Sequence, residues 1–239
     1  MCIRDSCGST HPDDLRRRVV ESGAALGLAF DGDADRLLAV DETGELVDGD
    51  QLLAMFAHDL RARGALAHDT VVVTVMTNLG FRLAMHDAGI TVVDTPVGDR
   101  HVLAALESTG ASLGGEQSGH LVFADLATTG DGLLAAVQLL DLVARDGRPF
   151  SQIVASAMTR LPQVLVNVPV AVRRPDIAAL VAEEVAQVER RLGGRGRALI
   201  RPSGTEPLVR VMVEAESAAI AEAAAASLAA AVERASAVD

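Results

Sequence analysis

Three aspartates alternate in Asp31-Gly-Asp-Ala-Asp-Arg36, a spacing that lets their carboxylates converge on one hard cation from an extended or turning loop. Ligands that are all oxygen, with no His or Cys beside them, favour Mg²⁺ over Zn²⁺. An acidic surface turn would show the same residues. An EF-hand loop is the sharper rival, because Glu42 falls at its twelfth position. That rival fails twice: Arg36 fills the sixth position, where the loop needs glycine, and both flanks read as strands rather than helices. Arg36 either neutralises the carboxylates or reaches an incoming phosphate while the metal polarises it.

A second loop, Arg201-Pro-Ser-Gly-Thr-Glu206, follows a strand. Gly204 allows a turn that points successive backbone N–H groups inward, Ser203 and Thr205 add hydroxyl donors, and Arg201 with Arg210 supplies fork-like positive charge suited to a phosphate. A plain strand–turn–strand hairpin explains the glycine but not the crowd of phosphate donors. The third loop is Gly114-Gly-Glu-Gln-Ser-Gly-His120. Its glycines keep the backbone open to a ligand, Glu116 and Ser118 can grip vicinal sugar hydroxyls, and His120 can shuttle a proton near neutral pH. A surface histidine would look the same. Thr95-Pro-Val-Gly-Asp-Arg100 ends a strand and opens a helix, so it can take an anion at the helix N-terminus, or Asp99 and Arg100 can simply pair. Thr128-Thr-Gly-Asp-Gly132 reads as a turn and helix cap. No Walker A loop, GxGxxG or nucleophile elbow occurs.

Composition narrows the partners. The 239 residues carry a formal charge of −12, and all 21 basic residues are arginine. There is no Trp or Tyr, so stacking platforms and a basic stripe, the two footprints of nucleic-acid binding, are both missing. An anionic ligand must be held by local arginines and backbone N–H groups against the global field. No apolar run approaches the ~20 residues of a membrane span, and no signal-peptide pattern opens the chain. Two cysteines, Cys2 and Cys7, exclude a disulfide scaffold and point to a reducing cytoplasm.

The loops need elements to hold them. Pro12 suits the first turn of a helix with Leu15, Val19 and Val20 on one face, stopped at Gly23. Gly27–Phe30 and Leu37–Val40 read as strands flanking the aspartate loop, too little for a free-standing domain. A new unit opens near Gly49, with Asp50 capping a helix through Arg63. Strands at Thr70–Val75, Ile90–Val93 and Leu121–Phe123 then alternate with helices at Gly80–Ala88, Arg100–Ser108 and Asp131–Arg145, the signature of a doubly wound α/β layer. Beyond Leu161, an extended run Val164–Val172, a helix Asp176–Leu192, strands Arg197–Ile200 and Leu208–Glu214, and an alanine-rich helix from Ser217 make a β-α-β-β-α order. One antiparallel sheet with helices on one face is the expectation.

Asp31–Arg36, Gly115–His120 and Arg201-Pro-Ser-Gly-Thr-Glu-Pro207, in this order and at these separations, resemble the α-D-phosphohexomutase superfamily. The wording of Thr95–Arg100, Gly114–His120 and Thr128–Gly132 is closer to its phosphoglucosamine mutase branch than to the phosphomannomutase/phosphoglucomutase branch. The resemblance runs from about Cys7 to the end. It implies an α/β chain made of a partial α/β domain (1–48, the C-terminal half of mutase domain 2), a complete three-layer α/β domain (49–160, domain 3), and a C-terminal α+β domain like the TATA-box-binding protein (161–239, domain 4). It implies interconversion of glucosamine 6-phosphate and glucosamine 1-phosphate through a phosphoserine and a bisphosphorylated sugar, in cytoplasmic amino-sugar metabolism that feeds peptidoglycan precursors.

By match, Asp31, Asp33 and Asp35 would hold Mg²⁺, Arg36 would touch the reacting phosphate and His120 would assist proton transfer. Glu116, Ser118, Asp99 and Arg100 would hold the hexosamine phosphate, and Arg201, Ser203, Gly204, Thr205 and Arg210 would grip its non-reacting phosphate. The family's Thr-Ala-Ser-His-Asn-Pro-like phosphoserine loop does not occur here, and Met1–Ser6 does not resemble family sequence. The expectation is a chain without the N-terminal mutase half, inactive alone, whose full-length form is compatible with a homodimer. A stand-alone phosphosugar-binding module, a phosphomannomutase/phosphoglucomutase of the same superfamily, and a phosphatase with Asp31 as nucleophile are the alternatives.

Overall fold

A computed structural model describes residues 11–171, 175–203 and 206–237, which fall into two compact units, Met1–Thr159 and Arg160–Asp239. Cys2, Cys7, Gly204 and Thr205 lie outside the described residues. Among the described residues no helix is long and apolar enough to cross a membrane.

In the first unit, helix α1 (Asp13–Ser22) ends as expected at Gly23, whose φ of 66° is left-handed and whose N–H turns back onto the last turn. Strands β1 (Leu26–Phe30) and β2 (Leu37–Asp41) pair antiparallel from Leu26↔Asp41 to Phe30↔Leu37, so the aspartate loop is the connection of a hairpin. A short third strand, β3 (Leu46–Val47), extends this sheet; at two residues it is too brief to leave an alternating pattern. Helix α2 (Gly49–Ala62) begins two residues earlier than its sequence suggested. Asp48, not Asp50, is the cap: its side chain accepts from the Gln51 N–H, and the Gln51 side chain accepts from the Asp48 N–H. Asp50 instead lies fully buried inside the first turn and accepts from the Asn78 N–H at 2.8 Å.

The larger sheet runs β5-β4-β6-β7, formed by β4 (Thr70–Thr74), β5 (Thr91–Thr95), β6 (Leu113–Gly115) and β7 (Leu121–Phe123). β4 is parallel to both its neighbours and β7 is antiparallel. Every residue of β4 is buried, as a strand covered on both faces must be. Val71 and Val73 join the main core with Phe81, Leu139 and Phe150, while Val72 faces a smaller cluster with Val102 and Leu106. The helices on the two faces are therefore α3 (Leu79–Asp87), α5 (Gly132–Asp146) and α6 (Phe150–Ala157) with α2 on one, and α4 (Asp99–Thr109) on the other. The sequence suggested no helix at 150–157. Strand residues Leu37, Ala39 and Val47 belong to the main core too, so the aspartate hairpin is built onto this unit.

In the second unit, β8 (Gln163–Pro169), β9 (Arg197–Pro202) and β10 (Leu208–Glu214) form the antiparallel sheet β8-β10-β9. The expected single helix over 176–192 is two pieces, α7 (Ile177–Leu180) and α8 (Ala182–Leu192), because Val181 sits at φ −110°, ψ 17°. The alanine-rich α9 (Ala218–Ala237) buries Ala221, Ala225, Leu228, Ala231 and Val232 against Val209, Val211 and Val213 of β10. Small residues on that stripe let the helix lie close to the sheet.

Candidate functional site

The six-residue connection Asp31–Arg36 is held in shape by its own backbone. Ala34 N–H donates to Asp31 O at 3.3 Å, and Ala34 has a φ of 59°, in the left-handed region that costs a non-glycine residue about 1–2 kcal/mol. Gly132 N–H donates to Ala34 O at 2.9 Å and stabilises that conformation. The three carboxylates converge: one oxygen from each of Asp31, Asp33 and Asp35 lies within 4.8 Å of the others. Asp33 is exposed, whereas Asp31 and Asp35 are partly sheltered. Asp31 Oδ1 accepts from the Arg36 N–H at 3.3 Å, and Arg36 Nε lies 3.7 Å from Asp31 Oδ2 and 3.9 Å from Asp35 Oδ1. Asp35 Oδ1 is buried with no hydrogen-bond partner. An all-oxygen donor set with an orphaned carboxylate oxygen fits a hard divalent cation.

The glycine-rich segment begins inside β6 and turns back to β7. Glu116 N–H donates to His120 O and Gly119 N–H to Glu116 O, both at 3.0 Å. Gly119 adopts φ 92°, and a Cβ there would stand 2.2 Å from Leu37 O, so only glycine permits the turn to lie on the start of β2. Leu37 N–H donates to Gly119 O at 3.0 Å, and Arg36 and His120 form a backbone bridge. The aspartate loop and the glycine-rich loop are thus one assembly. Glu116 is buried and its Oε1 accepts from the N–H of Gly98, the residue that caps α4, at 2.9 Å, so a carboxylate already stands at the start of that helix. Ser118 is exposed. His120 is 2% exposed; its Nδ1 lies 3.1 Å from Asp35 Oδ2 and 4.0 Å from Asp99 Oδ2. Arg100 is exposed and forms no ion pair with Asp99 or any other described residue.

Residues 128–132 form the turn and cap that their sequence suggests: Asp131 accepts from the Leu134 N–H at 2.9 Å. The turn also packs against the aspartate and glycine-rich loops, which its sequence alone does not show. A Cβ on Gly130 would lie 2.4 Å from the His120 ring, and one on Gly132 would lie 2.6 Å from Arg36 O. The Gly-Asp-Gly pattern was the available signal, since two glycines around a cap mark close approach.

In the second unit Arg201 and Arg210 stand directly opposite each other on β9 and β10, and Asn167 of β8 is opposite Arg210 on its other side. Like charges at such a pair repel. Arg210 has only a distant carboxylate, Glu206 at 3.9 Å, and Arg201 has none among the described residues. Ser203 N–H donates to Leu208 O at 2.9 Å, and Ser203 Oγ accepts from the Glu206 N–H at 3.2 Å, closing the loop.

Residues 48–161 match the family model for phosphoglucomutase/phosphomannomutase, alpha/beta/alpha domain III, and residues 165–231 match that for the C-terminal domain. The curated phosphoglucosamine mutase of Frankia alni is 61% identical over 220 residues, covering 92% of this chain and 48% of that protein. That of Streptomyces coelicolor is 60% identical over 214 residues, covering 89% and 47%. The chain spans about half the length of the curated relatives it matches. A solved structure of Aspergillus fumigatus N-acetylphosphoglucosamine mutase, in complex with GlcNAc-6P and magnesium, shares the fold with a TM-score of 0.74 at 24% identity, over 97% of this chain and 53% of that one.

Proposed function

Because the chain belongs to the phosphoglucomutase/phosphomannomutase family, we propose that it supplies the metal, sugar and phosphate loops of a cytoplasmic mutase interconverting glucosamine 6-phosphate and glucosamine 1-phosphate. The observation that carries this reading is the convergence of Asp31, Asp33 and Asp35 beside a guanidinium, Arg36, and a buried histidine, His120. Mg²⁺ held by the three carboxylates would neutralise charge on a transferring phosphoryl group. Arg36, tied only loosely to Asp31 and Asp35, can turn its fork to the same group.

Glu116 and Ser118 would contact sugar hydroxyls, with Asp99 and Arg100 at the edge of the same loop assembly. Arg201, Ser203, Gly204, Thr205 and Arg210 would grip the phosphate that does not react. Phosphoryl transfer depends chiefly on such positioning and charge neutralisation, which is what these loops would supply. In this division residues 1–48 correspond to part of mutase domain 2, 49–160 to domain 3 and 161–239 to domain 4.

No Ser-His-Asn-Pro loop occurs in these 239 residues, so the phosphoryl donor must come from outside them. The test is turnover and binding on the pure chain. It is expected to bind Mn²⁺ or Mg²⁺ by calorimetry, to lose that binding in Asp33→Asn, and to show no conversion of glucosamine 6-phosphate even with glucose 1,6-bisphosphate added. Turnover by the chain alone would overturn the assignment of the donor. Undiminished metal binding in Asp33→Asn would overturn the assignment of the cation.

A further inference from the structure

His120 is fixed on three sides. Its Nδ1 meets Asp35 Oδ2 at 3.1 Å, its ring lies against Gly130, and its backbone bridges to Arg36. The contact with a carboxylate selects the tautomer in which Nδ1–H donates, which leaves Nε2 buried without a partner. Within the aspartate loop, Asp31 and Asp35 share one arrangement: a protein donor holds one oxygen of each, the Arg36 N–H on Asp31 and the His120 Nδ1–H on Asp35. The remaining oxygen of Asp35, Oδ1, is the buried orphan.

We propose that His120 is a positioning residue for the divalent cation, holding Asp35 by Oδ2 so that Oδ1 is presented to the metal. The inference rests on the metal reading given above and deepens it. A hydrogen bond of this kind removes the rotational freedom of a ligating carboxylate and fixes which lone pairs face the ion. Partners that orient metal ligands in this way characteristically carry a large share of the affinity.

The test compares Mn²⁺ affinity, by calorimetry or by the electron paramagnetic resonance of the free ion, for the wild-type chain, Asp33→Asn, His120→Asn and His120→Gln. Asparagine carries an amide N–H near the Nδ1 position; glutamine carries it near Nε2 but matches histidine better in size. His120→Asn is expected to bind within about threefold of wild type and His120→Gln to bind roughly tenfold more weakly. Thermal melts in chelator check that both variants fold. A packing role would reverse the ranking, so glutamine binding as well as or better than asparagine would overturn the proposal. If Asp33→Asn loses the ion while both histidine variants keep full affinity, the positioning role alone falls. If Asp33→Asn binds like wild type, the cation reading and this inference fall together.

Discussion

Gly130 has no side chain because His120 occupies the space where one would go. A methyl group there would sit 2.4 Å from the ring, well inside contact distance, and the ring cannot retreat while Asp35 and the Arg36 bridge hold it. Gly130→Ala is therefore expected to cost about 1–3 kcal/mol in denaturant unfolding, the range for overpacking a filled site. It should also weaken Mn²⁺ binding, because any shift of the ring drags on Asp35. A variant as stable as wild type would show that the loop yields freely. The three aspartates were legible in sequence because their spacing is local and their chemistry needs nothing else. The part played by Gly130 and Gly132 was not, since it depends on segments roughly ten and a hundred residues away arriving at the same place.

Strands β9 and β10 set two arginines at directly opposite register positions, a like-charge pairing that weakens the ladder by roughly 0.2–1 kcal/mol unless an anion is shared between them. Arg201→Gln is expected to raise the melting temperature slightly in phosphate-free buffer and to abolish the further rise that inorganic phosphate gives the wild type. An equal phosphate shift in both proteins would remove Arg201 from the anion site. The strands themselves were readable from their alternation, and the helix from 176 to 192 was readable as apolar periodicity. Its break at Val181 was not, because Ile177, Val181 and Val188 are buried on both sides of the kink and the pattern runs through it. Helix α6 was invisible for another reason. Its own N-cap residue, Pro149, offers no side-chain acceptor, and the cap comes instead from Glu42, which accepts from the Ser151 N–H at 3.0 Å and the Ser151 hydroxyl at 2.5 Å. The glutamate that counts as the twelfth position of an EF-hand is thus a remote helix cap.

A chain of charge −12 can hold an anion only where its arginines are placed for it, and its carboxylates also set its tolerance of acid. Glu42, Asp59 and Asp146 all lie below their ordinary pKa. Burial pushes Glu42 and Asp59 upward but is outweighed by hydrogen bonds, from Ser151 and Arg145 respectively, while Arg148 holds Asp146 down directly. A folded-state pKa below the unfolded one stabilises the fold above the unfolded value, and that contribution is lost as pH falls through the folded value. Glu42→Gln is accordingly expected to melt below wild type at neutral pH, with the gap narrowing as acid takes the pH below the ordinary carboxylate range and the wild-type carboxyl is protonated as well. A gap that does not narrow at all as the pH falls would assign it to shape rather than charge.

The alternation of strand and helix made the α/β class of the first unit and the β-α-β-β-α order of the second readable without coordinates, since both rest on periodicity. The glutamate cap adds a matter of timing. Glu42 and Ser151 are 109 residues apart, so the cap of α6 requires closure of a long stretch of chain. On a ribosome that emits the chain from its N-terminus, the acceptor waits through the synthesis of the whole sheet for its donor. Until Ser151 emerges, the face of the core that α6 covers stands open to water and to neighbouring chains.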